Sequence, residues 1–240
     1  MAQSYFIWNG RDCRSLGIKL SGPVPIVRPE ERVQHVEIPG RDGDFTELES
    51  ADNDPIFNPY IQTATIMVPG GYRVREIYNW LKGSGYVTFH GEPDRRQKAR
   101  IIGAITLNRH SRNLDWWVGE VQFYCQPLKE ALTEEKQTVT AVNQTVMNTG
   151  DKIARPLLKV TCNAASCTVT IGGKSITMTD LTSGTKFWLD CDAMIATNEA
   201  KTADWTAWTV GDFPQLLPGS NAVSGSGWSS IEITKRERFL

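Results

Sequence analysis

Only one stretch of this 240-residue chain carries a helical period. From Arg73 to Lys82 the apolar residues Val74, Ile77, Tyr78 and Leu81 recur at i, i+3, i+4 and i+7, and Gly83 stands where a left-handed C-cap is wanted. Elsewhere apolar and polar residues alternate at period two in short runs, broken by Gly, Pro, Asn and Asp. Such patterning builds sheets joined by tight turns, so the fold class is mainly β, with the one helix covering a sheet face.

Asn9-Gly10 after the Tyr5–Trp8 run is the dipeptide that type I′ hairpins favour, because both central residues need positive φ. Ser21 to Pro29, with Pro23, Pro25 and Pro29, predicts an extended connector that cannot sit mid-sheet. From Val33 to Ile38 residues alternate as in a strand. Pro39-Gly40 then removes a ladder donor and permits left-handed backbone, Arg41-Asp42-Gly43 supplies a second turn, and Phe45 to Glu49 alternate again. The spacing predicts a hairpin corner, rigid at its tip and charged along one side, which an ordinary loop of an all-β domain would equally satisfy. Asp52 to Pro59 is a further irregular excursion, followed by a strand over Thr63–Val68 that ends at Pro69-Gly70-Gly71.

Arg95 to Leu107 and Trp117 to Cys125 alternate as the two long strands of one hairpin, tipped by the polar, basic connection Asn108-Arg109-His110-Ser111-Arg112-Asn113. The composition turns polar from Pro127, which divides the chain into domains 1–135 and 136–240. Beyond Gly150 come only short runs: Leu158–Asn163, Cys167–Ile171, a Gly172-Gly173 turn, Ser175–Thr179, Phe187–Cys191, Trp205–Val210 and Trp228–Thr234. They predict a β-sandwich.

The 26 basic and 27 acidic residues leave a net charge of −1, so no global field exists to hold nucleic acid or an anionic membrane. The chain starts without a basic-then-apolar leader, and no apolar run suits a bilayer span, which predicts assembly in the cytoplasm and no membrane insertion. Five irregularly spaced cysteines, Cys13, Cys125, Cys162, Cys167 and Cys191, fit buried thiols better than disulfides; Cys162, Cys167 and Cys191 are the alternative metal set, with no histidine near them. Glycan hydrolysis would use Asp190 with Asp192, or Glu92 with Asp94, each pair at i, i+2, but both lie where turns are expected. No nucleophile elbow, zinc-protease, phosphate-loop or dinucleotide motif is present. The expectation is a non-enzyme without cofactor or metal. Trp188, Trp205, Trp208 and Trp228 are candidates for stacking on sugars or, alternatively, for anchoring the sandwich; Trp205 and Trp208, three apart in a strand, would face opposite ways.

Val36 to Gly43, read around Ile38-Pro39-Gly40-Arg41-Asp42-Gly43, resembles a segment of the distal tail proteins of bacteriophages with long non-contractile tails. Further segments agree in order: Phe6 to Gly10 with Gly17-Ile18; Trp80-Leu81 leading to Gly85-Tyr86-Val87-Thr88-Phe89; Gly91-Glu92-Pro93-Asp94-Arg95; Phe123 to Pro127; Asn148-Thr149-Gly150 with Pro156; and Phe213 to Asn221. The resemblance implies a ring-forming N-terminal β domain and a galectin-like or carbohydrate-module-like C-terminal sandwich. It further implies a homohexameric ring at the tail tip of the virion. The ring would join the tail-tube protein to a hub or fibre protein and let the tape-measure protein and DNA pass in transit. Residues 38–43 and 91–94 are then the candidate ring corners. A carbohydrate-binding adhesion protein is the alternative, and the shortness of the second domain leaves little room for host-gripping extensions.

Overall fold

The structure is a computed structural model that describes residues 4–48, 55–70, 73–110 and 115–240, with backbone alone at 34 and 44–48. Glu49, Asp52, Gly71, Ser111, Arg112 and Asn113, which belong to segments discussed above, lie outside the described residues. The chain divides into two compact units, Met1–Lys129 with Leu240, and Glu130–Phe239.

In the first unit β1 (Phe6–Trp8) turns into β2 (Arg11–Asp12) through Asn9 and Gly10, whose φ values of 49° and 78° are those a type I′ turn requires. The Asn9 side chain also locks the turn to the next strand, its Oδ1 accepting from the Tyr86 amide at 2.9 Å. There follow β3 (Lys19–Leu20), β4 (Val33–Glu37), β5 (Asp44–Leu48), β6 (Tyr60–Pro69), α1 (Val74–Trp80), β7 (Ser84–Phe89), β8 (Arg95–Ile102), β9 (Asn108–Arg109) and β10 (Trp116–Ala131). The main sheet has the order β2-β1-β7-β8-β10-β6-β3, with β9 beside β10. Its spine is the β6–β10 ladder, in antiparallel register from Pro69↔Trp116 to Tyr60↔Cys125. The anticipated long hairpin thus exists as neighbouring strands β8 and β10. β8 ends at Ile102 rather than Leu107, because Gly103 takes φ 71°.

Alternation sends Phe6, Trp8, Ile66, Val68, Val87, Ala99, Val121 and Phe123 into one core. The Phe123 ring meets Phe6 and Phe89 edge-on, with centroids at 5.3 and 5.6 Å. The helix, expected over Arg73–Lys82, is shorter: the Leu81 amide closes on the Ile77 carbonyl, and the left-handed Gly83 stands two residues beyond that cap. Ile77 is buried, Tyr78 is exposed, and Trp80 stacks on Phe6 at 5.6 Å while its Nε1 donates to the Trp8 carbonyl.

The second unit contains β11 (Lys136–Val139), β12 (Thr145–Asn148), β13 (Leu157–Cys162), β14 (Cys167–Ile171), β15 (Lys174–Met178), β16 (Lys186–Asp190), β17 (Ile195–Asn198), β18 (Thr209–Gly211), β19 (Gly219–Ala222), β20 (Ser224–Ser226) and β21 (Trp228–Thr234). A five-stranded sheet, β11-β21-β13-β16-β17, and a four-stranded one, β18-β15-β14-β20, are antiparallel throughout; β12 pairs with β19. Leu158, Val160, Leu189 and Ile231 of one sheet and Val169, Ile171, Ile176 and Met178 of the other form a single buried cluster, the layered arrangement of a sandwich. Close approach is set by glycine at Gly227, where φ is 77° and a Cβ would fall on the Ser166 carbonyl oxygen.

Candidate assembly surface

The described part of the stretch, Val36 to Leu48, forms the hairpin expected from its turn chemistry. β4 pairs with β5 in register from Val33↔Leu48 to Glu37↔Asp44, and six residues, Ile38 to Gly43, close the end. Gly40 and Gly43 have φ of 82° and 80°, and the Arg41 amide donates to the Ile38 carbonyl at 3.2 Å, so the tip is two successive turns. This hairpin is a two-stranded sheet of its own, joined to neither larger sheet. It leaves Val36 and Ile38 exposed, each at 40%, together with Pro39, Arg41 and Asp42. Two strands alone are marginally stable in water, and this pair carries its exposed apolar residues with no third strand beside it among the described residues.

The other corner, Gly91-Glu92-Pro93-Asp94, joins β7 to β8. The Glu92 amide donates to Phe89 and the Arg95 amide to the Glu92 carbonyl. Glu92 itself reaches inward: Oε2 lies 2.6 Å from Lys129 Nζ and Oε1 3.2 Å from an Arg95 guanidinium nitrogen. Lys129 is only 5% exposed, and its ammonium also donates to the Leu240 carbonyl at 3.3 Å. Beside this pair, the Gln97 amide nitrogen donates to the Tyr60 hydroxyl and the Gln126 carbonyl, and the Gln62 amide nitrogen donates to the Pro25 carbonyl. Burial pushes the Tyr60 phenol up to about 12, against the opposing hydrogen bond from Gln97. This corner is therefore held by a buried polar network, whereas the hairpin tip is free-standing. Sequence reasoning missed Lys129, since nothing in its spacing marks it as a buried partner of a residue 37 positions earlier.

The carboxylates considered for hydrolysis are engaged in ion pairs. Asp190 receives both arms of Arg236 at 2.7 and 3.1 Å, and the amides of Asp192 and Ala193 as well; Asp192 receives Arg238 at 2.6 Å. Burial alone would raise the Asp190 carboxyl, but the Arg236 guanidinium and the two amides outweigh it and hold the group below its ordinary value. Asp94 is exposed at the turn, 3.9 Å from Arg95. All five cysteines are buried and reduced, and among the described residues no three His, Cys, Asp or Glu side chains gather as metal ligands. No helix among the described residues is long and apolar enough to cross a membrane.

The tryptophans separate by environment. Trp228 is 7% exposed, deep in the sandwich. Trp188 points outward, but Lys201 lies 4.2 Å from its ring centre and its Nε1 donates to the Glu199 carbonyl. Trp205 and Trp208 do not sit in a strand, as alternation predicted. Asp204 Oδ1 accepts from the Thr206 amide and starts a 3-10 turn over Thr206–Trp208. With three residues per turn, positions three apart eclipse, so the two rings stack at 5.1 Å instead of facing opposite ways. Trp205 packs against the core and Trp208 is 44% exposed.

No protein-family model matches the chain, and no curated protein matches it. Among solved structures it is similar to the Dit protein (gp 19.1) of SPP1, described as a paradigm of the hub adsorption apparatus in phages infecting Gram-positive bacteria. The TM-score is 0.79 at 18% sequence identity, over 100% of both chains. From end to end, this chain has the fold of that phage hub protein.

Proposed function

We propose that this chain is a structural subunit of a phage tail tip. Its copies, six by the resemblance of the sequence, would close into a ring that joins the tail-tube protein to a hub or fibre protein and lets the tape-measure protein and DNA through. The observation that carries the proposal is the likeness of fold to the SPP1 hub protein over both units at once. The free-standing β4–β5 hairpin supports it, because a ring needs a heterologous contact in which one patch meets a different patch on the next copy. Residues 38–43 at the hairpin tip are the best placed for that contact. The Gly91–Asp94 corner, tied down by Lys129, acts as a rigid support. A net charge of −1 suits a conduit, since a strongly basic wall would retain phosphate.

Light scattering on size-fractionated protein, with negative-stain images, tests this. The expected species has six times the 26.8 kDa chain mass and is annular. A chain that stays monomeric alone and with the tail-tube protein defeats the proposal. The second reading, sugar binding, is favoured by one observation, the exposed Trp208 ring stacked on Trp205. It requires that Trp208→Ala abolish binding to a glycan array, and it fails if wild type binds none.

A further inference from the structure

The outer face of the main sheet carries a row of basic side chains on β8. β8 contains four basic residues and no acidic one. Gln97 and Ala99 point into the core, so Arg96, Lys98 and Arg100 stand in a row on the opposite face, about 6.7 Å apart at two strand rises. Lys98 and Arg100 are exposed and have no ion-pair partner among the described residues. Apolar groups flank the row. Tyr86 lies opposite Lys98 in the β7–β8 register and under the Arg96 guanidinium at 4.7 Å, while Tyr124 on β10 sits opposite Ile61 on β6. Tyr86 and Tyr124 are each 37% exposed and Ile61 is 53% exposed. Glu120, further along β10, is an exposed acidic residue on this face.

The Val36–Glu49 stretch has the reverse composition. Five carboxylates, Glu37, Asp42, Asp44, Glu47 and Glu49, stand against Arg41 alone, and in the described part the exposed Glu37 and Asp42 flank the exposed Val36 and Ile38. We infer that the basic, tyrosine-flanked face of β7–β8–β10–β6 is the seat for the β4–β5 hairpin of a second copy. Val36 and Ile38 would pack on Tyr86, Tyr124 and Ile61, with Glu37 and Asp42 toward Lys98 and Arg100. A face four strands wide, about 15 Å across, accommodates a two-stranded ribbon. Like any rim of opposite charges, it selects the partner and its register more than it supplies affinity. This inference rests on the ring proposal and names the counter-surface that the hairpin would use.

The test is a charge swap in the full chain, read as oligomer mass against concentration. Lys98→Glu with Arg100→Glu, and separately Glu37→Lys with Asp42→Lys, should each raise the concentration for half-assembly about tenfold or more. The four changes combined should restore it to within about threefold of wild type, because the attraction is re-formed with its sign reversed. Wild-type assembly should also weaken between about 0.1 M and 1 M salt, where the screening length falls from about 10 to 3 Å. Matched thermal melts show that each variant is folded. Strip variants that assemble like wild type overturn the inference and leave the ring standing, as does a combined variant no better than its parents. If the strip reversal removes only a salt-dependent binding to duplex DNA, the face belongs to nucleic acid and the inference is wrong. A wild type that never assembles, alone or with the tail-tube protein, removes the ring proposal itself.

Discussion

Replacing Glu92 by Gln keeps the shape of the Gly91–Asp94 corner and removes only the charge that faces Lys129. The ammonium would remain 5% exposed, with the Leu240 carbonyl at 3.3 Å as its other close oxygen. Breaking a buried pair from one side costs about 3 to 5 kcal/mol, and the lower end applies because the Glu92 side chain is still 23% exposed. Lys129→Met should cost less, about 1 kcal/mol, since Glu92 keeps Arg95 at 3.2 Å. The double variant, which removes the pair together, should be more stable than Glu92→Gln alone. With a urea slope of about 2 kcal/mol per molar, a loss of about 3 kcal/mol moves the midpoint down by about 1.5 M. Two units need not unfold in one step, so the assay is hydrogen exchange of β7, β8 and β10 amides across a urea series. A Glu92→Gln midpoint within about 0.3 M of wild type, or a double variant as weak as the single, would refute the account of this corner.

Acid should act on the second unit through Asp190. Its carboxyl is depressed in the folded chain, so the stability it lends is complete above the unfolded value of about 3.9 and drains away as pH falls through the lower folded value. Arg236→Gln should therefore cost about 2 kcal/mol at neutral pH, and the gap to wild type should narrow below about pH 3.5, as read by thermal melts along a pH series. Gly227→Ala, which combines positive φ with a clash on the Ser166 carbonyl, should cost about 2 kcal/mol or more. Gly10→Ala, with equal φ but open space, should cost about 1 kcal/mol; melting temperatures rank the two. Burial raises the thiols of Cys13, Cys125, Cys167 and Cys191, Cys125 and Cys167 to about 12, so an aromatic disulfide reagent at pH 8 should label no cysteine until the chain is denatured. Rapid labelling of one native thiol would contradict that.

Much of the fold was legible because its determinants are local. Alternation placed Phe123, Cys125, Val169 and Leu189 inward, and Asn9-Gly10, Gly40, Gly43 and Gly172-Gly173 took the positive φ that their turns demand. The errors came where one short-range bond or a tertiary contact outweighed the pattern. The Asp204 carboxylate accepted the Thr206 amide at the entry to a 3-10 turn that stacked Trp205 on Trp208, in a segment whose alternation reads as strand. The apolar period over Arg73–Lys82 could not show that Tyr78 would be left in the open. At the candidate site the corner motifs stood out by their glycine and proline spacing. The partners that distinguish them did not: Lys129 reaches Glu92 only through β10 lying beside β8, and the β8 charge row becomes a surface only once the sheet is assembled.

The order β11-β21-β13-β16-β17 places a strand that follows all the others in sequence between two made much earlier. During synthesis β11 and β13 would leave the ribosome with their facing edges bare until Trp228–Thr234 arrived, about 65 residues after β13 at roughly 5 to 20 residues per second, although β13 can pair with β16 on its other edge. The Lys235–Arg238 run that follows, tied to Glu135, Asp190, Glu237–Thr149 and Asp192 contacts, extends the delay. The sandwich thus closes late, from its middle, and any chain cut short before Trp228 carries two open edges ready for aberrant pairing.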